Sequence, residues 1–300
     1  MSRRRRRILR RYAGIIRETG RVFITLGILV LLFAGYQNWV TDSTQRNSQV
    51  TLTKEVSRVV QLPSFLHVDG PARPLSTSPD PGVGHWIGVI TIPTIQLRQV
   101  IVDGTDKAQL QLGPGHYIGS AMPGERGNVA IAGHRTTWGR PFRNLDKLRR
   151  GDQIIITTPR ASSMYRVVWS KVVSPSDVSV LAASATPVLT LTTCNPPYSA
   201  VSRLVVRAEL AAVGQIRNVH PTSIIKEQRS VLLRSQERYP TWPSYVYGLV
   251  LALVLIIGER TRRRFRWRGQ TVTVLATLAV STPITLLWFN GIVHVLPAGI

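Results

Sequence analysis

Two dense arginine clusters, each beside a long apolar run, constrain this 300-residue chain more than any other feature. Residues 1–21 hold nine arginines and one glutamate, and residues 259–268 hold six arginines and one glutamate. These two short pieces therefore carry +13 of the formal net charge of +23. Hydrophobic residues nevertheless make up 44% of the chain, an unusual level for a soluble basic protein that binds nucleic acid. Basic clusters flanking apolar runs are the pattern of cytoplasmic edges on a membrane protein. The pattern excludes a freely soluble reading and makes nucleic acid an unexpected partner.

Three runs have the length to span a bilayer: residues 22–40, 242–258 and 271–289. Nineteen helical residues reach about 28 Å, close to a hydrocarbon core of roughly 30 Å. Trp242, Tyr245 and Tyr247 suit an interface at the start of the second run. With both arginine clusters inside, residues 1–21 form a cytoplasmic tail and residues 259–270 a cytoplasmic loop. The sequence then predicts an extracytoplasmic region from residue 41 to 241 and an outer tail at 290–300. Two polar stretches, 41–84 and 214–241, read as a stalk and a linker, the first with a short helix near residues 51–60.

Between them, residues 85–213 alternate short β-type runs with turn residues. Strands are expected at 86–92, 97–102, 128–132, 153–158, 164–173, 188–193 and 203–211. Seven or eight strands with little helix predict a mostly β domain, a closed barrel in preference to a sandwich.

One cysteine, Cys194, stands in this domain, which excludes a disulfide framework. It ends the expected strand Leu189-Thr-Leu-Thr-Thr-Cys194, and Arg203 opens the next one. Pairing of these strands would set a permanently charged guanidinium beside a thiol nucleophile. Such a nucleophile needs an acid/base partner, most often histidine. His67, His220 and His294 fall outside the domain, and His85 and His116 have no distinctive setting. His134 follows the strand Val129-Ala-Ile-Ala-Gly133 and opens a polar segment. No cluster has metal-ligand spacing and no glycine loop cradles phosphate, so neither metal nor cofactor is expected.

Thr190-Leu-Thr-Thr-Cys194 with Arg203 nine residues on resembles the sortase signature, and Gly133-His134-Arg135 resembles its histidine element. The segments 132–142 and 144–152 are similar to those of class E sortases of actinobacteria. The resemblance covers residues 85–213. It implies an eight-stranded sortase barrel, a catalytic trio of His134, Cys194 and Arg203, and transfer of secreted proteins bearing a C-terminal sorting signal. In that reading Cys194 cleaves a Leu-Ala-x-Thr-Gly or Leu-Pro-x-Thr-Gly type signal after threonine, and a cell-wall precursor amine takes the acyl chain. Thr193 and Tyr117 are the implied substrate-lining residues. A pilin lysine as acceptor, in the manner of class C enzymes, stays open because two spans follow the domain. Asp80-Pro81-Gly82 is at best a degenerate form of the class C lid and reads more simply as a turn. A sortase-like module that binds without turnover is the remaining alternative.

Overall fold

The computed structural model describes residues 3–60, 73–77, 81–215, 242–264, 277 and 279–289. Two compact units divide between Val40 and Thr41: helical segments 3–40, 242–264 and 279–289 form one, and the domain from Thr41 onward forms the other.

The domain is a closed eight-stranded barrel. Its strands are β1 (Trp86–Ile92), β2 (Leu97–Asp103), β3 (Gly115–His116), β4 (Asn128–Ala132), β5 (Gln153–Thr157), β6 (Ala161–Val173), β7 (Val188–Asn195) and β8 (Ser202–Gln215). They close in the order β1-β2-β3-β4-β7-β8-β6-β5. Most neighbours are antiparallel; β2–β3 and β4–β7 run parallel. Alternation explains the interior, since Ile90, Ile101, Ile131, Ile156, Leu191 and Val206 all turn inward and are buried. The seven expected strands are present. The eighth, β3, has only two residues and no periodicity to reveal it. β7 continues one residue past Cys194, and β8 continues to Gln215, into the first residues of the expected linker.

The polar segment expected as a stalk differs in the structure. Helix α1 (Arg3–Val59) covers residues 41–59 of it, beyond the short helix expected near 51–60, and its last turns join the domain. Leu52, Val56, Val59 and Val60 recur at helical spacing and are buried against Trp86, Val89, Val100 and Val102. The reason lies in β1 and β2. Their outward residues Val89, Val100 and Val102 are apolar as well as their inward ones, so that face requires a cover.

In the other unit, helix α2 (Trp242–Arg264) and the helical residues 279–289 are described. A Cβ at Gly248 would stand 2.8 Å from the Trp288 indole nitrogen, so glycine permits a close helix approach there. Among the described residues no helix is long and apolar enough to cross a membrane. The tail 290–300, the greater part of the linker and His67, His220 and His294 lie outside the described residues.

Candidate active site

The parallel pairing of β4 and β7 builds the site. Ala132 stands beside Thr192, and the offset of sixty residues is constant along the pair. His134 and Cys194, each two residues further on, therefore leave neighbouring strands at the same level. Strands so paired lie about 4.8 Å apart. Two hydrogen bonds hold the strand ends together: Gly133 N–H donates to Thr192 O at 3.1 Å, and Thr193 Oγ1 donates to Gly133 O at 2.7 Å.

Alternation along β7 sends Leu189, Leu191 and Thr193 toward the barrel interior and Thr190, Thr192 and Cys194 toward its outer face. Thr193 was expected to line the substrate site. Its buried hydroxyl donates to the backbone just before His134. The lower part of the outer face is closed by the connection between β6 and β7. Asn128 Nδ2 donates to Val180 O and Ala182 O, and Arg207 Nη1 donates to Val180 O at 3.2 Å.

Cys194 and Arg203 are direct partners in the antiparallel β7–β8 register. Arg203 Nη1 lies 3.9 Å from Cys194 Sγ and is steadied by Ala200 O at 3.2 Å and Ser202 O at 3.3 Å. Cys194 is 5% exposed. Burial pushes its thiol above the ordinary value, and the positive charges of Arg203 and then Arg135 pull it part of the way back.

Arg135 is the residue that sequence reasoning missed. Its buried guanidinium donates from Nη1 to Cys194 O at 3.1 Å and to Asn195 Oδ1 at 2.6 Å, while Nη2 lies 3.3 Å from Asp146. A second cation thus braces the backbone of the nucleophile. Its position directly after His134 was the only available signal.

The described histidines separate cleanly. His134 is buried at the end of β4, with its carbonyl accepting from Phe142 N–H at 3.1 Å. His116, also buried, faces Asp103 at 3.0 Å through Nδ1 and Ser120 Oγ at 2.9 Å through Nε2. It belongs to a structural network between β2 and β4. His85 Nδ1 lies 2.8 Å from Pro81 O and caps a turn. Tyr117 is half-buried, and its hydroxyl lies 3.4 Å from Thr192 Oγ1, a long contact for two hydroxyls. It borders the same outer face as Cys194.

A sortase-domain family model matches residues 90–211. The chain is 34% identical to sortase SrtE1 of Streptomyces coelicolor over 63% of this chain and 55% of that protein, little more than half of that relative's length. It is 31% identical to sortase D of Bacillus subtilis over 55% of this chain and 84% of that one. The solved structure of sortase E from Streptomyces avermitilis is 31% identical, covering 48% of this chain and 99% of the other at a TM-score of 0.42. With the matched segment containing both the Cys194–Arg203 pair and the strand end of His134, the chain belongs to the sortase family of cysteine transpeptidases.

Proposed function

We propose that this protein is a membrane-anchored sortase that cleaves a C-terminal sorting signal between threonine and glycine and passes the acyl chain to a cell-wall amine. The observation that carries the reading is the level placement of Cys194 and His134 on neighbouring parallel strands, with Arg203 opposite the sulfur.

Chemistry follows from that arrangement. The Cys194 thiolate attacks the threonine carbonyl carbon, and the carbonyl π electrons move to oxygen. Arg203 offers N–H donors to that oxyanion, since its guanidinium already reaches the sulfur. Protonated His134 gives its proton to the departing glycine amine, leaving a thioacyl enzyme and a neutral imidazole. The acceptor amine then attacks the thioester while His134 takes its proton, and the thiolate returns. Burial disfavours the Cys194 thiolate, and the charges of Arg203 and Arg135 offset part of that effect.

Signals of the Leu-Ala-x-Thr-Gly or Leu-Pro-x-Thr-Gly type fit the similarity to class E enzymes, and Tyr117 borders the face on which such a peptide would lie. The wall amine is the favoured acceptor, because Asp80-Pro81 is followed by Gly82 and not by the aromatic residue of a class C lid. Anchoring rests on the sequence: three uncharged runs with fifteen arginines at their edges. That charge asymmetry puts the N-terminus in the cytoplasm and the barrel outside it.

The test is direct. The full-length protein in detergent would be incubated with a Leu-Ala-x-Thr-Gly peptide and an amine, and a thioacyl adduct on Cys194 sought by mass spectrometry. Absence of any adduct across sorting-signal peptides, with the protein folded, would replace the enzyme by a binding module.

A further inference from the structure

The segment that leaves β4 with His134 closes on itself at residue 142, where Phe142 N–H meets His134 O. Its tip is backbone that L side chains rarely adopt. Trp138, Gly139 and Arg140 follow one another at φ 51°, 70° and 50°. Arg140 also precedes Pro141, a position that favours extended backbone. Three successive left-handed residues, two of them not glycine, persist only where the surroundings over-determine them.

Those surroundings come from helix α1. Asp42 is buried, and its Oδ1 accepts from Gly139 N–H at 3.0 Å while its Oδ2 pairs with the Arg140 guanidinium. One turn on, a Cβ at Gly139 would collide with the Gln45 carboxamide, so the tip lies flat against the helix. Gln45 Nε2 in turn donates to Gln99 Oε1 at 3.0 Å. Gln49 is tied to both Val100 and Leu112 through their backbones. Asp42, Gln45 and Gln49 are spaced by three and four residues and share one helix face. A cavity of about 320 Å³ borders the tip, lined by Leu97, Gln99, Gly139, Arg140, Pro141 and Arg143. Space therefore exists for the tip to move once its restraint is removed.

We infer that Asp42 is a positioning residue for the active site: its carboxylate latches the strained 138–140 tip, and through that loop it sets His134 and Arg135 against Cys194. The route is short. Arg135, at the loop's base, grips Cys194 O and Asn195 with one guanidinium nitrogen. If the tip relaxes, the base loses its fixed angle, and the positive charge that favours the thiolate moves away from the sulfur. Asp42 touches neither the sulfur nor the reacting carbonyl and acts only through the loop. It stands two residues after the uncharged run 22–40.

The inference rests on the transpeptidase reading for its turnover measurement but has a readout independent of it. Cys194 is the only cysteine, so alkylation of the full-length protein by iodoacetamide reports this thiol alone. The rate would be followed against pH for wild type, Asp42→Ala, Asp42→Asn, Arg140→Ala and the Asp42→Ala/Arg140→Ala pair, alongside the unfolding midpoint and peptide turnover. In Asp42→Ala the alkylation midpoint should rise by up to about one pH unit, equivalent to a tenfold smaller thiolate fraction at neutral pH. The value of kcat should fall by about the same factor with little change in KM, and the double variant should be no worse than the worse single one. Asp42→Asn keeps an acceptor for Gly139 N–H but loses the charge for Arg140, and should show an intermediate midpoint. An alkylation midpoint equal to wild type overturns the inference, even where the variant unfolds at lower temperature, because a merely structural contact would give that result. Should Asp42→Ala fail to fold, Asp42→Asn decides by the same midpoint. A wild-type protein that cleaves no sorting peptide sinks the transpeptidase reading while the alkylation series still decides the latch.

Discussion

Arg203 Nη1 approaches Cys194 Sγ to 3.9 Å from the facing position of the neighbouring strand. Backbone register makes the two residues facing partners, and Ala200 O and Ser202 O hold the guanidinium beside the sulfur. A donor fixed in this way costs no reorganisation when the reacting carbonyl becomes an oxyanion.

Replacing that donor by a lysine tests the geometry separately from the charge. Arg203→Lys keeps a cation but loses the planar guanidinium, whose Nη1 reaches the sulfur and two carbonyls. We expect kcat to fall about a hundred- to a thousandfold, the usual loss for one oxyanion donor, or about 2.7–4 kcal/mol. Steady-state cleavage of a sorting peptide measures it, and near-native turnover would reduce Arg203 to a point charge.

Cys194→Ala should fold normally and form no acyl adduct. His134→Ala should be nearly inactive per folded molecule, since no other described histidine reaches the strand end. His116→Ala supplies the contrast. It leaves buried Asp103 without its hydrogen-bond partner, which typically costs about 1–3 kcal/mol of stability. Thermal unfolding should therefore reveal the His116 lesion, while turnover per folded molecule survives. Equal inactivity of the two folded variants would reassign the acid/base.

The pH dependence has a definite sign. Both arginines lower the Cys194 thiol value because a cation favours the thiolate, and burial outweighs them. Removing Arg135 therefore moves the thiol further up. In Arg135→Ala the alkylation rate at neutral pH should fall, and its midpoint should shift toward higher pH. A midpoint that moves down would mean that desolvation by the Arg135 segment matters more than its charge.

Helix α1 contributes to domain stability through a small apolar stripe. Leu52 is 1% exposed against the outward residues of β1 and β2. Leu52→Ala should cost about 2–5 kcal/mol, the range for buried leucine truncation. The unfolding midpoint of the full-length protein would register that loss, and an unchanged midpoint would mean the helix is not docked in solution.

Topology is checked with fusions. A reporter active only in the cytoplasm should work near residue 265 and fail near residue 150, as the arginine clusters at the edges of the proposed spans require. A cytoplasmic signal at residue 150 would overturn the extracytoplasmic assignment of the barrel.

Local chemistry was legible from the chain alone. Alternating runs such as Trp86–Ile92 and Asn128–Ala132 appear as strands at the expected residues, because burial on a sheet face imposes a period of two. The Cys194–Arg203 pairing was legible too, since the two residues flank one short turn between consecutive strands. Other features depended on contacts distant in sequence. β3 is too short for any period, and the placement of His134 beside Cys194 depends on a parallel pairing between strands 60 residues apart. Arg135 reads as an ordinary basic residue until β4 and β7 lie side by side, when its guanidinium reaches the Cys194 carbonyl. The polar stretch 41–60 appeared to be a stalk because its apolar stripe is narrow; only the apolar outer faces of β1 and β2 turn it into a packed helix. Residue types and short-range periodicity thus determined which side chains could act, whereas long-range strand pairing and helix docking decided which of them meet, because those contacts depend on surfaces created only when the barrel closes.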